Sequence, residues 1–175
     1  MCAVKLLKGV KADASLSPCG RYRYTLHRDW FPKRKGHVLW IMLNPSTATE
    51  DVDDPTIRRC QSFAREWGYD GITVTNLYAL RSTDPDELLR CPAPIGEAND
   101  DVLVTLAEAA GIGLAVAAWG SHRATKLGAR AGVVTQLLTG VGRNLHCLGT
   151  TAAKAPRHPL YVKGGQPAEI WRSAS

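Results

Sequence analysis

Four short polar segments carry side chains able to do chemistry: Leu43-Asn44-Pro45-Ser46-Thr47, Thr75-Asn76-Leu77, Gly120-Ser121-His122 and His158-Pro159. An asparagine carboxamide accepts a hydrogen bond from water through its oxygen but cannot take the proton as a carboxylate does, so Asn44 can position a water without being a strong base. The imidazole of His158 can donate to an atom on which negative charge grows, and one such preorganised donor is worth ~2.7–4 kcal/mol of barrier. Asn76 offers donor and acceptor together, which suits the polar edge of a heterocycle. Taken alone each segment is weak, because Asn-Pro is a common turn element and a lone histidine usually sits satisfied at a surface.

The flanking residues say how these segments are held. His37 to Leu43 is a near-continuous apolar run, as expected of a strand covered on both faces. Ile72 to Leu77 is rich in β-branched residues and reads as a second strand, Ile112 to Trp119 as a third and Leu145 to Leu148 as a fourth. Asp54-Pro55 supplies a helix cap followed by proline at the first helical position, and Ile57, Cys60, Ala64 and Trp67 repeat at helical spacing, which predicts a helix from 55 to about 67. Asp84-Pro85 starts a short helical turn through Leu89, the spacing of Val102, Leu103, Leu106 and Ala110 predicts a helix over 97–110, and Gly120-Ser121 begins another running to about Leu138. Residues 21 to 28 alternate basic with aromatic or apolar side chains after the Pro18-Cys19-Gly20 turn, and read as an edge strand. Strands alternating with helices imply an α/β fold with a parallel sheet and helices on both faces, in a single domain over residues 1–175. In such a sheet the carboxyl ends of the strands lie side by side, so Asn44, Asn76, Gly120-Ser121 and the loop bearing His158 converge on one cleft.

Composition narrows the class. With 45% hydrophobic residues the chain is globular, and its formal charge of +6 and pI near 9.2 give a modest attraction for polyanions. Arg21, Arg23, Arg28, Lys33, Arg34 and Lys35 crowd one end while Lys154, Arg157, His158 and Lys163 crowd the other, either for solubility or as a groove of phosphate contacts. No apolar run approaches the ~20 residues that span a bilayer and no signal peptide is evident, so no membrane partner and a cytoplasmic location are expected. The five scattered cysteines contain no C-x-x-C pair and signal neither disulfides nor a metal. Asp51 and Asp53 read as solvated loop residues, Asp54 and Ser121 as helix caps, and at least two of Tyr22, Tyr24 and Trp30 as core. Neither a Gly-x-Ser-x-Gly elbow nor a phosphate-binding or dinucleotide-binding glycine pattern is present.

In these segments the chain resembles the uracil-DNA glycosylase superfamily, which hydrolyses the bond between a base and deoxyribose. Leu43-Asn44-Pro45 resembles the first motif, whose Asn or Asp positions the attacking water, and Thr75-Asn76-Leu77 resembles the strand end that reads the base. Ala118-Trp119-Gly120 with Ala124 resembles the segment opening the helix after the third strand, and His158-Pro159 resembles the second catalytic motif, whose histidine donates to a carbonyl oxygen of the departing base. The resemblance implies a three-layer α/β/α fold with a four-stranded, mainly parallel sheet. The whole sequence is also similar to a bacterial and phage family catalogued as a domain of unknown function, through Met42 to Arg58 and the block Thr75 to Arg81. Antiviral DNA glycosylases that excise glucosylated hydroxymethylcytosine from phage DNA resemble it too.

Hydrolysis of an N-glycosidic bond fits the residue types, since positive charge develops on the sugar and negative charge on the base, and the base must leave the stack first. Asn44 and His158 are the expected catalytic residues, with Asn76, Pro45, Ser46 and Thr47 binding the base. Where uracil-specific members have a bulky tyrosine against substituents at C5, this chain has Ser46 followed by Thr47. That departure predicts a C5-substituted pyrimidine, with glucosylated hydroxymethylcytosine the leading candidate. Leu160 and Tyr161, in place of small residues, are either a wedge for the vacated stack or local packing. Ser121, Arg157, Leu160, Tyr161 and Lys163 are expected at the DNA, no metal or organic cofactor is implied, and the partner is double-stranded, modified phage DNA bound by a monomer. The rival readings are a non-catalytic module for modified DNA and an N-glycosidase acting on free nucleosides or nucleotides.

Overall fold

The computed structural model describes residues 4–5, 9–30, 35–46 and 48–172. In chain order its strands are β1 (Val4–Lys5), β2 (Lys11–Leu16), β3 (Arg23–Asp29), β4 (His37–Met42), β5 (Val52–Asp53), β6 (Gly71–Asn76), β7 (Ile112–Ala117), β8 (Leu145–Cys147) and β9 (Glu169–Ile170). The helices are α1 (Pro55–Glu66), α2 (Glu87–Arg90), α3 (Asn99–Glu108) and α4 (Arg130–Gly140), with 3-10 segments at Arg123–Ala129 and Pro159–Tyr161.

Side chains alternate across β4, and that alternation sets the layers. Val38, Trp40 and Met42 face one way and pack with Ile57, Cys60, Phe63 and Ala64 of α1. Leu39 and Ile41 face the other way and pack with Leu103 and Ala107 of α3 and Val134 and Leu138 of α4. Trp40 is fully buried and anchors the first layer, with its ring 6.2 Å from Phe63 and 5.9 Å from Trp67. Asp54 caps α1 as its sequence demands, accepting from the Ile57 N–H at 2.8 Å, with Pro55 at the first helical position.

Among the described residues the main sheet has seven strands in the order β2-β3-β6-β4-β7-β8-β9. Pairings β6–β4, β4–β7 and β7–β8 are parallel, whereas β2–β3, β3–β6 and β8–β9 are antiparallel. The expectation of a four-stranded, mainly parallel sheet is therefore corrected to a larger, mixed one. Residues 21–28 do not form an edge either, because β3 lies between β2 and β6 and β2 is the edge. The sequence Lys11-Ala12-Asp13-Ala14-Ser15-Leu16 alternates polar with apolar residues, but it is largely exposed and two of its three apolar positions are alanine, a weak strand former. Gly71, where β6 begins between β3 and β4, has no room for a side chain: a Cβ there would lie 2.5 Å from His37 Nε2 and 2.6 Å from the Arg28 carbonyl oxygen.

The helix expected from Gly120 to Leu138 is broken in two. Leu127 and Gly128 leave helical geometry, Ala129 sits at φ 53°, and α4 starts only at Arg130. Among the described residues no helix is long and apolar enough to cross a membrane.

Candidate functional site

A cavity of about 460 Å³ opens where β4, β6 and β7 end. Asn44, Ser46, Asn76, Ser121, His158 and Tyr161 all line it, so residues 117 positions apart in the chain meet in one place. The other site candidates do not line it. Pro45 is buried and contributes its carbonyl oxygen as an acceptor. Arg157, Leu160 and Lys163 are exposed and outside the lining. Thr47 lies outside the described residues.

Backbone hydrogen bonds lock the walls together. The Leu77 N–H donates to the Met42 carbonyl at 2.8 Å, Tyr78 to Leu43 at 3.0 Å and Ser82 to Pro45 at 2.9 Å, which zips the loops after β4 and β6. The Gly120 N–H donates to the Pro156 carbonyl at 3.0 Å and ties the end of β7 to the loop carrying His158. Gly120 adopts φ 72°, a left-handed turn that few other residues accept. The Asn99 amide donates to the carbonyls of Asn76 and Leu77, and Arg130 Nε donates to Leu77 at 2.7 Å, so the backbone beneath Asn76 is held from behind.

These locks orient the polar groups. Asn44 Nδ2 donates to the carbonyls of Pro45 at 3.0 Å and Ser82 at 2.9 Å, which uses both amide hydrogens. Its Oδ1 accepts no hydrogen bond among the described residues and remains an acceptor at the cavity wall. Asn76 is 2% exposed, and its side-chain amide makes no hydrogen bond among the described residues but keeps access to the cavity it lines. A ligand in the cavity would satisfy it.

His158 caps the Pro159–Tyr161 segment, its Nδ1 accepting from the Leu160 N–H across a long 3.4 Å. The proton of the neutral ring therefore sits on Nε2, as a donor. Burial pushes the imidazole below its ordinary range, and Asp54 opposes that shift. His158 is accordingly neutral near pH 7. Tyr161 is 80% exposed, and its ring centroid lies 5.8 Å from that of His158.

Several residues of the cavity carry signals that sequence reasoning read differently. Arg23, one of the basic cluster expected either at the solvent surface or along a groove of phosphate contacts, is 4% exposed and lines the cavity, as does Asp54 beyond its capping role. Arg28 and Asp53, expected to face solvent, form a buried ion pair at 2.9 Å with Gln61 donating to the same carboxylate at 2.6 Å. Ser121 is not the cap of the following segment; the imidazole of His122 is, accepting from the Ala124 N–H at 3.2 Å. His122 also lines the cavity, and its Nε2 lies 3.2 Å from Asp86 Oδ1, which Arg123 engages as well. This brace joins α2 to the 3-10 segment at the rim. Of the three aromatic residues, Trp30 is in the core on the α1 side of the sheet, Tyr22 is partly buried against the core on the opposite side, and Tyr24 is half-buried.

Residues 23–160 match a family described as "Protein of unknown function (DUF1643)", and the chain belongs to that family. No curated protein and no solved structure matches it.

Proposed function

We propose that this protein is a monofunctional DNA glycosylase that hydrolyses the N-glycosidic bond of a pyrimidine extruded from the duplex. The observation that carries the reading is the meeting of Asn44, Asn76 and His158 around one cavity at the carboxyl ends of parallel strands, the place where open α/β sheets take ligands. Its volume of about 460 Å³ falls within the ~300–1,000 Å³ of small-molecule sites and leaves room for a substituted base.

The chemistry follows from the hydrogen-bond roles. With both amide hydrogens of Asn44 engaged, its oxygen accepts from a water and aims it at the anomeric carbon, while positive charge growing on the sugar draws the water in. His158 presents Nε2–H to a carbonyl oxygen of the departing base and offsets its growing negative charge. The unpaired amide of Asn76 reads the base edge, giving selectivity through a group that only the right edge satisfies. The small Ser46 at the cavity wall leaves space beside C5, which favours a C5-modified pyrimidine, glucosylated 5-hydroxymethylcytosine in phage DNA being the leading candidate. Exposed Tyr161 and Leu160 stand beside His158 where the vacated stack needs filling, and Arg157 and Lys163 supply positive charge on the same segment.

The direct test is mass spectrometry of the bases released from a panel of normal and hypermodified phage genomes. Release of a modified pyrimidine with matching abasic sites is expected. Salt-dependent binding to the same DNA with no free base would make the protein a reader of modified DNA, and release only from nucleosides would make the duplex irrelevant.

A further inference from the structure

Two buried charges in the cavity have unused hydrogen-bonding capacity. Arg23 donates through Nη1 to the Ala48 carbonyl, while its buried Nε has no partner and Nη2 makes no hydrogen bond among the described residues. Asp54 is 7% exposed; its Oδ1 accepts the helix-capping bond from Ile57, and its Oδ2 accepts none among the described residues. The neighbouring pair is the opposite case. Arg28 and Asp53 are joined at 2.9 Å, Gln61 takes the second carboxylate oxygen, and the Arg28 terminal nitrogens donate to the carbonyls of His27 and Thr49. Each nitrogen of the Arg28 guanidinium and each oxygen of the Asp53 carboxylate has a partner, whereas Nη2 of Arg23 and Oδ2 of Asp54, on two residues that line the cavity, have none among the described residues, and a ligand there would complete them.

We propose that Arg23 and Asp54, with the hydroxyls of Ser46 and Thr56, form a subsite for a neutral, hydroxyl-bearing substituent on the extruded base. This rests on the glycosylase reading above and assigns the residues that recognise the substituent. All four line the cavity, and neither hydroxyl makes a hydrogen bond among the described residues. An arginine alone would favour an anionic group, but the carboxylate of Asp54 beside it repels one, and Arg23 in turn repels a cation. A hydroxyl group matches both at once, accepting from the guanidinium and donating to the carboxylate. Burial lowers the Arg23 pKa to about 10, with Asp54 pulling the other way, so the guanidinium stays charged near pH 7.

Single-turnover release from duplexes carrying one uracil, 5-hydroxymethyluracil, 5-carboxyluracil or glucosylated 5-hydroxymethylcytosine tests the subsite in wild type, Arg23→Gln and Asp54→Asn. Wild type should favour the hydroxyl-bearing bases. Arg23→Gln should lower their rate relative to uracil by about tenfold, the loss expected when a designed hydrogen bond is removed. Asp54→Asn keeps the capping oxygen and leaves Arg23 uncompensated, so release of the carboxyl-bearing base relative to the glucosylated one should rise by about tenfold. This second variant decides the matter if Arg23→Gln fails to fold by circular dichroism. Unchanged ratios, or an equal slowing of every base, would overturn the subsite while leaving the glycosylase reading intact. A wild-type protein that releases no base from any duplex would overturn that reading and the subsite with it.

Discussion

Asn44→Asp separates the two ends of the Asn44 side chain. In wild type, Nδ2 donates to the carbonyl oxygens of Pro45 and Ser82 at 3.0 and 2.9 Å. Aspartate keeps the shape but aims a negative oxygen at two carbonyl lone pairs. Two hydrogen bonds at ~0.5–1.5 kcal/mol each are lost, and the repelled charge adds to that, for a total of about 2–4 kcal/mol. At ~2–4 °C per kcal/mol for a chain of this size, the melting temperature should fall by about 5–15 °C at pH 8. The carbonyl oxygens and partial burial raise the folded-state pKa of the new carboxyl above its unfolded value of ~3.9. The penalty is therefore absent as a charge effect below that value and grows as pH rises through the folded pKa. A protonated carboxyl can still donate once, so about half of the loss should return by pH ~4. Urea denaturation of both proteins from pH 8 to 4 measures the difference directly. Equal stability at pH 8, or a difference that does not shrink in acid, would refute the assignment of Nδ2 as the inward donor and of Oδ1 as the acceptor facing the cavity.

Replacing His158 by alanine should slow base release by about 10²–10³-fold with DNA binding retained, measured by single-turnover cleavage and filter binding. Because burial lowers the His158 pKa, the neutral ring is present above the unfolded value of ~6.5 and is lost as pH falls through the folded one. Protonation keeps Nε2–H as a donor but fills Nδ1, which accepts from the Leu160 N–H and orients the ring, so release governed by this group should stay flat from pH 8 past about 6.5 and decline only below the lowered folded value. Gly71→Ala places a Cβ 2.5 Å from His37 Nε2 and should cost at least about 1–3 kcal/mol by urea titration. Asp53→Ala strands the buried Arg28 guanidinium and should cost about 3–5 kcal/mol in the same assay, with a smaller loss for the double replacement Asp53→Ala, Arg28→Met.

What the sequence revealed and what it hid follow from where each signal resides. The run His37 to Leu43 and the Asp54-Pro55 cap with its apolar spacing are local signals, and β4 and α1 fall where they predict. Strand-end placement likewise brought Asn44, Asn76, Ser121 and His158 to one cavity, because parallel topology alone forces those ends together. The antiparallel strands were hidden for a physical reason. β2 and β9 lie at the sheet edges with largely exposed side chains, so little burial was needed: the alternation in β2 rests on two alanines and one leucine, and β9 is only two residues long. The alternation in Arg23–Asp29 was visible, but the burial of its cations was not: Leu26 is buried as an apolar position should be, yet Arg23 and Arg28 are buried as well, which charge alone argues against and only tertiary partners such as Asp53 and the Ala48 carbonyl explain. The break at Leu127–Ala129 escaped because Gly128 inside an apolar pattern is compatible with either a continuous helix or a turn.

The most direct measurement is the count of alkali-labile abasic sites formed in a duplex bearing one glucosylated 5-hydroxymethylcytosine, for wild type, Asn44→Ala and His158→Ala under single-turnover conditions. Hydrolysis at this cavity predicts stoichiometric abasic sites with wild type and a loss of about 10²-fold or more with each variant while both still bind the duplex. Full excision by both variants would contradict it.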